Sequence, residues 1–110
     1  MAFDESLAER IRKRLGGRSG VIEKKMFGGL AFLVRGNMCV GVHRDSMIVR
    51  LAPDDTDDAL TKPHVRIFDL SGRPMKGWLL VDAPGLNTDA RLQKWIDVAF
   101  KYAGSLPAKK

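Results

Sequence analysis

One cysteine, Cys39, occurs in 110 residues, so no internal disulfide can form. The two histidines, His43 and His64, stand too far apart for zinc-finger spacing, and no metal is expected. Long hydrophobic runs are missing as well. The longest, residues 30–34 and 78–81, fall far short of the roughly 20 residues that a membrane-crossing helix needs. The first residues, Met-Ala-Phe-Asp-Glu-Ser, carry acid where a secretory signal carries base, and no apolar segment follows. These absences predict a cytoplasmic protein without membrane contact, and an unpaired thiol agrees with a reducing compartment. Catalytic signatures are equally scarce. There is no Gly-x-x-x-x-Gly-Lys-Ser/Thr loop, no Gly-x-Ser-x-Gly elbow and no His-Glu-x-x-His helix. The expectation is a protein that is not an enzyme, with no cofactor and no catalytic residue.

What is present fits one domain. Hydrophobic residues at 45% and charged residues at 29% exclude a disordered chain, and this length buries a core without staples. Residues 1–106 are assigned to a single domain and 107–110 to a short basic tail. The net charge of +6 is unevenly placed. Residues 1–25 hold seven Lys/Arg against four acids and residues 83–110 hold five against two, whereas residues 51–65 hold one against four. A first helix and a tail on one side would make a positive face able to meet phosphates. Against that stand the missing recognition helix, RNP-type aromatic pair and arginine run.

The first helix follows from Leu7, Ile11 and Leu15 at i, i+4, i+8, with Asp4 as its cap. Phe3 and Ala8 sit at staple spacing, and Gly16-Gly17 ends the helix. Strands are predicted near 21–27, 29–35, 38–43 and 47–51, the first two separate or one bent strand. Gly28-Gly29, Gly36-Asn37 and Arg44-Asp45-Ser46 are the turns between them. Such short spacing forces antiparallel pairing. Pro53 to Lys62, with Asp54, Asp55, Asp57 and Asp58 early and Pro63 as the stop, reads as a short helix. Strands at 65–68 and 77–82 flank a turn at Ser71-Gly72-Arg73-Pro74. A final helix starts at Asn87 or Thr88, buries Leu92, Trp95, Ile96, Ala99 and Ala103, and ends at Gly104 with Pro107 beyond. The fold class is α+β: an antiparallel sheet of five to six strands with flanking helices, in the order α-β(3-4)-α-β(2)-α.

Strict alternation places Leu30, Phe32, Val34, Met38, Val40, Val42, Met47, Val49 and Leu51 on one face. Ala31, Leu33, Arg35, Cys39, Gly41, His43, Ile48 and Arg50 fall on the other. That second face is partly apolar, and a helix or another subunit is expected to cover it. Cys39 reads as a small buried hydrophobe rather than a nucleophile. His43 and His64 read as surface or structural residues. The four aspartates of 54–58 have no EF-hand spacing, and helix N-terminal charge explains them without a cation.

Two longer strings carry more information. Met26-Phe27-Gly28-Gly29 follows Glu23-Lys24-Lys25 and leads into Leu30-Ala31-Phe32. Gly72-Arg73-Pro74-Met75-Lys76-Gly77-Trp78 leads into Leu79-Leu80-Val81. Together with a last helix ending in Tyr-Ala-x-Ser-Leu-Pro, these strings resemble the N-terminal domain of TfoX/Sxy-type competence regulators, from helix 1 to Leu106. The resemblance implies an α+β domain similar to the type III secretion chaperone fold. Full-length members regulate DNA-uptake genes by assisting another transcription factor. They also carry a second, helical C-terminal domain, so this chain is expected to be a stand-alone N-terminal domain.

The motif residues Met26, Phe27, Gly28, Gly29, Gly72, Pro74, Gly77 and Trp78 have a mostly structural reading, as turns, close approaches and core aromatics. Lys25, Arg50, Arg73 and Lys76 are the candidates for a partner or anion contact, since the fold does not require base there. The expected function is regulatory or adaptor-like, through a protein partner, with a homodimer as one form. Direct nucleic-acid binding through the basic face is the alternative, and small-ligand binding centred on Arg73, Lys76 and His43 stands behind it.

Overall fold

A computed structural model of the chain describes residues 4–15, 18, 20–26, 29–68 and 77–107, with residue 26 given by its backbone alone. Helix α1 spans Glu5–Leu15 and α3 spans Asp89–Ser105, while the short α2, Thr56–Leu60, follows a 3-10 turn over Pro53–Asp55. The strands are β1 Val21–Met26, β2 Gly29–Val34, β3 Asn37–His43, β4 Ser46–Arg50, β5 Val65–Ile67 and β6 Trp78–Val81. They form one sheet in the order β1-β2-β3-β4-β6-β5, antiparallel throughout. Strands β1 and β2 are separate hydrogen-bonded partners, with Met26 opposite Gly29.

The caps form as their chemistry requires. An Asp4 carboxylate oxygen accepts from the Ser6 and Leu7 amides at 2.9 and 3.2 Å, and the Thr88 hydroxyl accepts from the Arg91 amide at 3.2 Å. Phe3, Gly16, Gly17 and the 71–74 turn lie outside the described residues.

Both long helices pack on one face of the sheet. Leu7, Ile11 and Leu15 of α1 and Leu92, Ile96, Ala99 and Ala103 of α3 meet Leu30, Phe32, Val40, Val42, Met47 and Val49 in the main core. A smaller cluster, Ala31, Leu33, Met38, Ile48, Phe68 and Leu80, with Trp78 against it, occupies the reverse face. These side chains are buried within the single chain, and no helical residue belongs to their cluster among the described residues.

Three local expectations are corrected. Strict alternation put Met38 on the helix side and Cys39 on the reverse, yet the structure exchanges them. Phe32 pairs with Val40 and Leu33 with Met38, so Cys39 is an extra residue, and the resulting β-bulge shifts the phase at the start of β3. The tight turn after β2 consists of Arg35 and Gly36, at φ 50° and 84°, rather than Gly36 and Asn37. Asn37 already belongs to β3 and is buried. Finally, Gly104 does not end the last helix. It is helical, and the helix runs on to Ser105.

Two motif glycines receive a packing explanation. A side chain at Gly29 would overlap the Val42 carbonyl oxygen of the neighbouring strand. Gly77 stands at φ +89°, where an added Cβ would lie 2.7 Å from the Leu51 carbonyl oxygen.

Candidate functional site

Helix α3 presents three faces. Leu92, Ile96, Ala99 and Ala103 face the core. Asp89, Gln93 and Asp97 face α1 and its neighbourhood, where Asp89 meets Arg14 at 3.1 Å and Arg10 at 3.6 Å, and Asp97 meets Arg18 at 2.8 Å. Arg91, Lys94, Trp95 and Val98, at i, i+3, i+4 and i+7, look instead toward α2.

Between α2 and α3 lies a half-open cavity of about 490 Å³. Pro63, just after α2, lines it, as does Gly85 from a second 3-10 turn over Ala83–Leu86. Leu51, Ala59, Trp95 and Val98 supply the apolar floor. Trp95 is half-buried against the main core, and Val98 is 41% exposed, although it sits beside a packed core. Asp55 and Asp58 stand on the α2 side and Arg91 and Lys94 on the α3 side, and Lys62 and His64, which follow α2, also line the cavity. The Arg91 guanidinium donates to the Asn87 side-chain oxygen at 3.0 Å and to the Pro84 carbonyl at 3.4 Å. Among the described residues no ion pair joins the two walls.

The residues singled out in the sequence do not converge. Lys25 is exposed on the edge strand β1, near the turn into β2. Arg50 lies three strands away, at the end of the inner strand β4. Its guanidinium stands 5.0 Å from the ring centre of Trp78 and 5.7 Å from that of Tyr102, a cation–π arrangement that ties β4 to β6 and α3. Arg73, Lys76, Phe27, Gly28, Gly72 and Pro74 lie outside the described residues. His43 contacts the Phe68 ring, with ring centres 6.1 Å apart, and lines a small polar hollow with Arg44, Ser46 and Arg66.

The positive face expected on helix 1 is largely matched by acid. Besides the pairs with α3, Arg12 holds Glu23 at 2.6 Å and Glu9 at 2.6 Å, and its guanidinium keeps the Glu23 carboxyl below its ordinary range. Hydrogen bonds from Gln93 and then Arg18 do the same for Asp97. Burial pushes the Cys39 thiol up to about 12, so it is neither a nucleophile nor a ready metal ligand at neutral pH.

The α2–α3 groove was not foreseen as a site. One signal for it exists in the sequence: Val98 lies off the core stripe, yet three residues from Trp95 on the same side of the helix. The aspartates of 54–58 gain a second role here, since two of them form a wall of the groove.

Among the described residues no helix is long and apolar enough to cross a membrane. No curated protein and no solved structure matches the chain. A family model described as the TfoX N-terminal domain does match, over residues 13–103, from within α1 to the last turn of α3. That span takes in both motif strings, the whole sheet and the groove, and the chain belongs to the TfoX N-terminal domain family.

Proposed function

We propose that the chain is a non-enzymatic regulatory or adaptor module of the cytoplasm, acting through contact with another protein in transcription or competence control. The observation that carries this reading is Val98, 41% exposed beside Trp95 on the floor of a cavity of about 490 Å³. An apolar floor left open between charged walls is the usual composition of a protein-binding surface. The reverse face of the sheet gives no comparable reason for a homodimer, because its apolar side chains are buried within one chain. The basic face is a weaker reason for nucleic-acid binding, because four arginines of the N-terminal region are held in ion pairs.

The test is capture of partners from the host by tagged wild-type protein and by Val98→Asp, followed by rebinding of each candidate in purified form. A protein that rebinds the wild type and loses affinity for a folded Val98→Asp variant supports the reading. Equal binding by both, or nucleic acid as the sole recovered material, overturns it.

A further inference from the structure

We propose that the occupant of the α2–α3 groove is an amphipathic helical segment of a partner protein, seated over about two turns and charged oppositely along its two flanks. This rests on the protein-binding reading above and names the shape and charge of what is bound.

Length is the first argument. Arg91, Lys94, Trp95 and Val98 span about 10 Å along α3 at roughly 1.5 Å per residue, which is two helical turns. A helix docking in a groove offers anchors at i, i+3 or i+4 and i+7, a stripe of the same length. None of the groove's lining residues belongs to a strand, so an added strand finds no partner backbone there.

Charge is the second argument. Asp55 at the N-cap of α2 and Asp58 within it are spaced i, i+3, and Arg91 and Lys94 stand on α3 at i, i+3. Leu51, Ala59, Trp95 and Val98 keep the two rows apart, and no ion pair crosses the groove among the described residues. A small anion would meet two carboxylates in the same cavity as the cations. A helix with its apolar stripe on the floor places a basic flank along α2 and an acidic flank along α3, so both rows meet opposite charge.

The probes are three labelled 14-residue helical peptides sharing one leucine stripe. Their flanks are acid on one side and base on the other, acid on both, or base on both. Fluorescence anisotropy at low salt is expected to show the mixed-flank peptide binding about fivefold tighter than the other two, and Val98→Asp weakening it. In the folded double variant Arg91→Glu/Lys94→Glu both walls are acidic, and the doubly basic peptide is expected to bind best. An unchanged ranking in that variant, binding indifferent to Val98→Asp, or no binding by any peptide overturns the inference. So does a rise in melting temperature with octanoate while the peptides fail to bind, which assigns the cavity to a small apolar carboxylate. A host partner that stays sensitive to Val98→Asp while no peptide binds removes the helical occupant and leaves the module reading standing.

Discussion

Replacing Gly104 with alanine should stabilise the domain, because the structure places this glycine inside a helix rather than at its end. A Cβ at Gly104 meets nothing within 4 Å, and its φ is not positive. Glycine costs about 1 kcal/mol against alanine in a helix interior, and a position in the last turn, where helices fray, should realise about half of that. The Arg35 guanidinium donates to the Gly104 carbonyl, a backbone acceptor that alanine keeps. Unfolding entropy of about 2.1 cal/mol/K per residue gives roughly 0.23 kcal/mol/K for a chain of 110 residues. A gain of about 0.5 kcal/mol therefore raises Tm by roughly 2 °C. Thermal unfolding followed by far-ultraviolet circular dichroism at pH 7 measures this directly. A fall in Tm would refute the reasoning, because it is the response of a glycine held in the left-handed conformation of a helix stop, where a side chain costs about 1–2 kcal/mol.

Two other outcomes follow from the sheet. Hydrogen bonds from Arg66 and Ser46 hold the Asp82 carboxyl below its ordinary range, so its contribution is complete above about pH 4 and is lost as the pH falls through the lowered value. Asp82→Asn should therefore flatten the acid limb of stability in urea unfolding between pH 7 and 2.5, and parallel curves for the two proteins would remove this account. Gly29→Ala forces a methyl group onto the Val42 carbonyl at the start of β2 and should lower stability by about 2 kcal/mol or more. A loss under about 0.5 kcal/mol in urea unfolding would show that β2 and β3 yield more easily than their spacing implies.

Much of the fold was legible because local signals agreed. Asp4 and Thr88 are caps whose side chains compete for the first free amides, and each starts its helix where the sequence places it. Short intervals between apolar runs dictated antiparallel neighbours, and the full strand order honours that. Failures came where a single residue changed phase. Cys39 is inserted against β2 by pairing across strands, which no pattern within β3 reveals. Gly104 carries the residue type of a stop but none of its conformation: α3 continues to Ser105, and Arg35 and Asn37 donate to the Gly104 and Pro107 carbonyls. The groove escaped notice for a different reason. Its walls come from residues 55–64 and 85–98, which meet only in three dimensions, and each charged side chain already had an adequate local explanation.

The junction of the β2–β3 turn with β3 also acts as a ruler for the last helix. Arg35 and the buried Asn37, two residues apart, hold the Gly104 and Pro107 carbonyl oxygens, one on the last turn of α3 and one just past it. Each residue added to a helix advances its end by about 1.5 Å and rotates it by about 100°. An insertion or deletion between Thr88 and Gly104 would therefore carry both carbonyls away from their donors at once. The spacing of the residues from Thr88 to Pro107 is thus set by the donors at Arg35 and Asn37.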